Sequence, residues 1–147
     1  MISNAASGFQ AAPYRKTMIK EEHKKYWLDS ADHDLKTAQS MFEAEKYDWC
    51  LFIGHLVLEK TLKAIYVDRH DNKIPPKIHN LVRLGEVCQI EMSREQKYFL
   101  DQVTDFNIQT RYPDYQLDFY KMCSKEYTES HFNQIKEYYK WLKSLVT

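Results

Sequence analysis

Residues 50–67 read CLFIGHLVLEKTLKAIYV. The run is apolar on nearly every side, which suits a helix enclosed by other helices rather than one lying on a surface. Within it His55, Glu59 and Lys63 recur at four-residue steps, so a helix stacks them as one polar ridge, with Lys60 beside it. Two readings of a charged seam on a core helix stay open: a structural ion pair at a wet groove, or one wall of a site. Glu59 stands one turn before Lys63, the favourable order for a helical ion pair.

Working outward towards lower numbers, residues 18–44 carry Trp27, Ala31, Leu35, Ala38 and Phe42 at three- and four-residue steps, the stripe of a second core-facing helix. Glu21, Glu22, Lys24, Lys25, Asp29 and Asp32 mostly take its other faces, and His23 and His33 are expected there in solvent. Thr17 is a candidate cap for this helix, and Asp48 for the central one, expected over residues 49–68. The short link at residues 46–48 predicts antiparallel neighbours. Residues 1–17, MISNAASGFQAAPYRKT, lack periodicity and read as a flexible N-terminal arm ahead of a single domain over 18–147.

Beyond the central run, Pro75-Pro76 breaks the pattern, and residues 68–77 are expected to form a loop. A third helix begins near His79 and carries Leu81, Leu84, Val87 and Cys88. Ser93-Arg94-Glu95-Gln96 matches a capping box, predicting a fourth helix over 94–109 that buries Phe99, Leu100, Val103 and Phe106. Pro113 disfavours helix at the residue before it, so this helix should end close to Arg111. Residues 110–122, TRYPDYQLDFYKM, then read as an aromatic loop. A last helix runs from Ser124 to Leu145, with Tyr127, His131, Ile135, Tyr138, Leu142 and Leu145 on one stripe. The fold class is all-α, an up-and-down bundle of four to five helices.

Composition narrows the function classes. At 147 residues one core is sustainable, and 21 basic against 21 acidic residues leave no global field for nucleic acid or membrane, so any such binding needs a local patch. Three Gly and four Pro exclude a turn-rich β sandwich. Three widely spaced Cys, no C-x-x-C or H-E-x-x-H motif and six scattered His point to reduced thiols in a cytoplasmic protein without metal or cofactor. No run reaches the length of a membrane span, and no secretory leader is legible. Eleven Tyr in a helical chain favour large packing surfaces and a subunit interface.

The second polar constellation is Arg111-Tyr112-Pro113-Asp114-Tyr115. An Arg where a helix yields to a Pro-stiffened segment can present its fork to phosphate, with aromatic neighbours to stack on a base. Equally, Arg111 can serve as a staple to Asp114 or Glu59. His79, ahead of a helix, suits a local polar contact, and His131, on an apolar stripe, a core or interface role. Cys123 has no base beside it for nucleophilic work, and no glycine loop cradles phosphate.

Taken in order, these residues resemble the HEPN domain family. Trp27, Ala31, Asp34-Leu35 and Ala38 resemble its opening helix. The run from Leu58 to Ala64 looks like its EKxLKA motif, His79-Asn80-Leu81 its HxL element, and Asn107 through Arg111-Tyr112-Pro113 its N…RYP element. The resemblance implies a helical homodimer whose Arg segments face each other, of the toxin–antitoxin or nucleotidyltransferase-associated type. Many such proteins are metal-independent ribonucleases in which Arg is followed a few residues later by His.

Here Gln116 occupies that region. Glutamine hydrogen-bonds a phosphate or base but does not exchange a proton near neutral pH, so efficient catalysis is not expected; Asp118 and His131 are the stand-ins the sequence offers. The reading is a degenerate or noncatalytic member that binds nucleotide, RNA or a partner protein. In it Arg111 holds phosphate, Glu59 orients Arg111, Tyr112 and Tyr115 stack, and Lys63, Gln116 and Asn107 complete the groove. One alternative is a toxin endoribonuclease with Arg111 catalytic. Another is an accessory subunit of a minimal nucleotidyltransferase, with Tyr115 or Tyr120 accepting a nucleotide.

Overall fold

The computed structural model describes residues 18–147. Its elements are α1 (Lys20–Glu43), α2 (Tyr47–Arg69), α3 (Leu81–Val87), α4 (Arg94–Arg111), α5 (Pro113–Met122) and α6 (Lys125–Ser144). The expected arm at residues 1–17 and its Thr17 cap lie outside the described residues.

The apolar run at 50–67 becomes the axis of the bundle: α2 packs against each of the other five helices. Leu51, Leu58, Leu62 and Ile65 are fully buried there, each contributing about 1.5–3 kcal/mol by leaving water. Gly54 lets α6 come close, since a Cβ at that position would stand 2.8 Å from Ile135 Cδ1. The α1–α2 pair is antiparallel, as the short link requires. Phe42 meets Tyr47 beside the turn, Asp34 meets Lys60 midway, and Lys24 meets Asp68 at the far end. Trp27, Ala31 and Ala38 are buried on the α1 stripe, while Leu35 and Phe42 pack partly buried against the core.

Several expectations need correction. Residues 113–122 form α5 rather than a loop, because Pro113 occupies the first helical position, where its missing N–H costs nothing and its fixed φ suits the helix. The bundle therefore has six helices among the described residues. Helix α2 starts at Tyr47 with Lys46 as N-cap, so Asp48 is not the cap but lies in the first turn, where its charge complements the helix dipole. His23 and Lys24 are buried, not solvated, because the start of α1 meets the end of α2. There His23 Nδ1 lies 3.0 Å from Asn72 Oδ1, and Lys24 Nζ pairs with Asp68 at 3.2 Å. His33 is exposed as expected. Helix α3 begins at Leu81 with Asn80 as its cap, placing His79 just outside it. The capping box at Ser93 and Gln96 is present, and Ser124 caps α6.

With only three glycines in the chain, helix ends fall on residues with side chains. Glu45, Asn72 and Gln89 adopt left-handed φ of 63°, 66° and 60°. Each closes its helix with a six-to-one bond or sits beside one: Lys46 N–H to Met41 O, Asn72 N–H to Val67 O, Ile90 N–H to Gly85 O.

Candidate functional site

The polar ridge of α2 faces the loop between α2 and α3 and the last turn of α4. Glu59 is its centre, 5% exposed. Oε2 accepts from Lys63 Nζ at 3.0 Å, and Oε1 accepts from His79 Nδ1 at 2.9 Å. Burial by itself would raise the Glu59 carboxyl, but the bond from His79 and the charge of Lys63 outweigh it and hold the group below the ordinary carboxylate range. Glu59 is thus an acceptor only, and His79 carries its proton on Nδ1. Lys63, itself buried, lies with its ammonium 5.3 Å from the Trp27 ring centroid.

His55 is fully buried one turn before Glu59. Its Nε2 lies 2.8 Å from the His79 carbonyl, which can only accept, so Nε2 bears the proton. Nδ1 then accepts from the Asn107 amide at 3.2 Å. Burial pushes the His55 imidazole below its ordinary range and keeps it neutral, the form this bonding needs. Asn107, also buried, turns its Oδ1 to Arg111, whose Nε donates at 2.9 Å. A relay therefore runs from the His79 carbonyl through His55 and Asn107 to Arg111. Each amide and ring orientation in it is fixed by a partner with only one possible role.

The loop that carries His79 is tied at successive residues. The His79 carbonyl and ring are held as described, Asn80 Oδ1 accepts from Arg83 N, and Leu81 N donates to the Thr104 hydroxyl at 3.1 Å. Its rigidity is local, yet the His79 side chain is 62% exposed. Arg111 is likewise exposed. Its Nε is engaged by Asn107, and the Tyr112 ring lies 5.4 Å from the guanidinium carbon.

Of the residues singled out in the sequence, the structure joins Glu59 with Lys63, His55 with Asn107, and Arg111 with both Asn107 and Tyr112. Glu59 does not orient Arg111: among the described residues no ion pair links them, and Asn107 takes that role. Gln116 donates to the Thr110 carbonyl at 2.8 Å, closing the end of α4. Tyr115, half-exposed, borders a groove of about 250 Å³ with Asp105, Ile108 and Gln109. Of the stand-ins, His131 gives its Nδ1 proton to the Tyr127 carbonyl at 2.7 Å and packs on Phe106, while Asp118 is exposed on α5.

Sequence reasoning gave His79 only a local contact. Its long partner, Glu59, is 20 positions away, and the one available signal was that the EKxLKA and HxL elements each contain one half of the pair. The three cysteines are buried with their thiols pushed up to about 12 by burial, which removes them as nucleophiles. Among the described residues no group of three or more His, Cys, Asp or Glu is disposed to hold a metal, and no helix is long and apolar enough to cross a membrane.

This fold and ordered set of motifs has a counterpart among known families. The model of the HEPN domain matches residues 24–145. The chain belongs to the HEPN domain family. No curated protein and no solved structure matches it. The matched span begins in the first turns of α1 and closes after α6, so all six helices and the whole Glu59–Arg111 relay lie within this HEPN domain or at its edge.

Proposed function

We propose that this HEPN protein binds a phosphate-bearing ligand, nucleotide or RNA, at Arg111. The observation that supports the reading is the relay from His55 through Asn107, which anchors Nε of an Arg111 that is itself exposed at the surface. A guanidinium held in this way loses little entropy on meeting a phosphate. Tyr112, half-exposed beside the fork, offers a face for a base. Glu59 and Lys63 act behind the relay, neutralising each other and holding His79, rather than touching ligand. Nothing at position 116 moves a proton, and the Gln116 amide is engaged with Thr110, so the reading is binding rather than efficient hydrolysis.

The assembly is a homodimer in this account, formed through α5. Leu117 and Tyr120 are 60% and 61% exposed on that helix, with Trp49 nearby at 41%, a large apolar face for a surface helix. Screening pure protein against nucleotides and RNA tests the site: binding that weakens with salt and is lost in Arg111→Ala is expected, and binding indifferent to Arg111→Ala contradicts it. Incubation with total RNA in chelator tests the rival endoribonuclease. Fragments ending in cyclic phosphate, lost in Arg111→Ala, would establish that reading instead.

A further inference from the structure

His79 is an exposed imidazole mounted on a buried carboxylate, and no step above uses its outer nitrogen. Its Nδ1 proton is committed to Glu59 Oε1 at 2.9 Å, while its side chain is 62% exposed against 7% for that of Glu59. A carboxylate on one ring nitrogen fixes the tautomer and turns the other nitrogen outward. Nε2 is then a lone pair when the ring is neutral and an N–H donor only when the ring is a cation. The same residue's carbonyl starts the relay that ends on Arg111. His79 and Arg111 are therefore joined by one set of hydrogen bonds, and both act electrostatically on His55.

We infer that His79 is a second ligand contact of the Arg111 site: its Nε2–H donates to the ligand's phosphate, so that phosphate binding takes up one proton. This rests on the phosphate reading of Arg111 and adds the group that makes binding depend on pH. The charges facing His79 are Glu59, Lys63 and neutral His55 from α2 and Arg111 from the end of α4. An incoming phosphate brings a negative charge for the Nε2–H to meet. The proton comes from solvent and leaves with the ligand, and no covalent bond changes.

The test is titration calorimetry with ATP and with a short single-stranded RNA as probes, across about pH 5 to 8, where imidazole groups titrate. Buffers of different ionisation enthalpy report the protons taken up. Wild-type protein is expected to bind more weakly as pH rises, by up to about tenfold per pH unit at the steepest, with proton uptake approaching one per site. His79→Asn, which can still occupy Glu59 and keeps the backbone carbonyl for His55, is expected to flatten the profile while retaining the binding that Arg111 provides.

A wild-type profile without slope, or a slope that survives in His79→Asn, overturns the role of His79 and leaves the Arg111 reading standing. Loss of binding by neither probe in Arg111→Ala, or binding of neither probe by wild type, overturns both. Should His79→Asn prove poorly folded, the His79 ring signals of wild-type protein decide the matter. A shift of Nε2 to the protonated form on adding either probe supports the contact, and no change in that signal refutes it.

Discussion

Glu59 stands between Lys63 and His79, with His55 Nδ1 at 3.9 Å, and its removal separates structural from functional effects. Glu59→Ala leaves Lys63 buried without a counter-charge, and breaking such a pair is expected to cost about 3–5 kcal/mol of stability. His79→Ala removes the exposed partner, leaves Glu59 Oε1 without its donor, and should cost less, about 1–3 kcal/mol. Urea unfolding of the two variants checks this, and equal losses would mean that the Lys63 pairing is unimportant. The same residues set the response to acid. The folded Glu59 carboxyl is depressed, so its contribution is present above the unfolded glutamate range, about 4.3, and is lost as pH falls through the folded value. His55 is depressed by burial, so below about 6.5 the unfolded chain takes a proton that the folded chain refuses. Stability therefore falls with acidification from that point down to the folded value. His55→Gln can keep both hydrogen bonds, and it should remove the part of the slope that sets in below about pH 6.5. A slope unchanged in that variant would assign it elsewhere.

At the scale of helices, the glycine shortage makes a distinct prediction. Glu45 and Gln89 are exposed and pay for a left-handed φ that glycine adopts without strain. Glu45→Gly and Gln89→Gly should each stabilise by about 0.5–1 kcal/mol, the steric relief exceeding the added chain entropy, and a lower melting temperature in both would contradict that. These ends were illegible in the sequence, since no Gly or Asn marks positions 45 and 89. By contrast, the axis of the bundle was legible, because a run that is apolar on all sides has no other stable place. The α4–α5 junction was half-legible: Pro113 does end the preceding helix near Arg111, but the same residue also starts the next one. As for the site, Arg111, Asn107 and Glu59 were visible as chemistry, but their pairing was not. Glu59 meets His79 and Asn107 meets His55 only once α2, α4 and the intervening loop are packed, and spacing along the chain carries no record of that.

For the molecule as a whole, the proposed dimer and the proposed site are linked through α5, which begins immediately after Arg111-Tyr112 and carries the exposed apolar face. Leu117→Asp combined with Tyr120→Asp is expected to convert a dimer to a monomer by light scattering while leaving the melting temperature of the fold nearly unchanged; a wild-type monomer at micromolar concentration would remove the assembly from the account. The central claim is narrower and concerns how the core helix reaches the ligand: Asn107, held by His55, presents Arg111. A double-mutant cycle on affinity for ATP or a short single-stranded RNA tests it most directly. Arg111→Ala should weaken binding by roughly 10- to 100-fold, the range of a charge-assisted contact. Asn107→Ala should weaken it less in the wild-type background and not at all once Arg111 is gone. Losses that simply add would show that Asn107 acts independently of Arg111, and the account would be wrong.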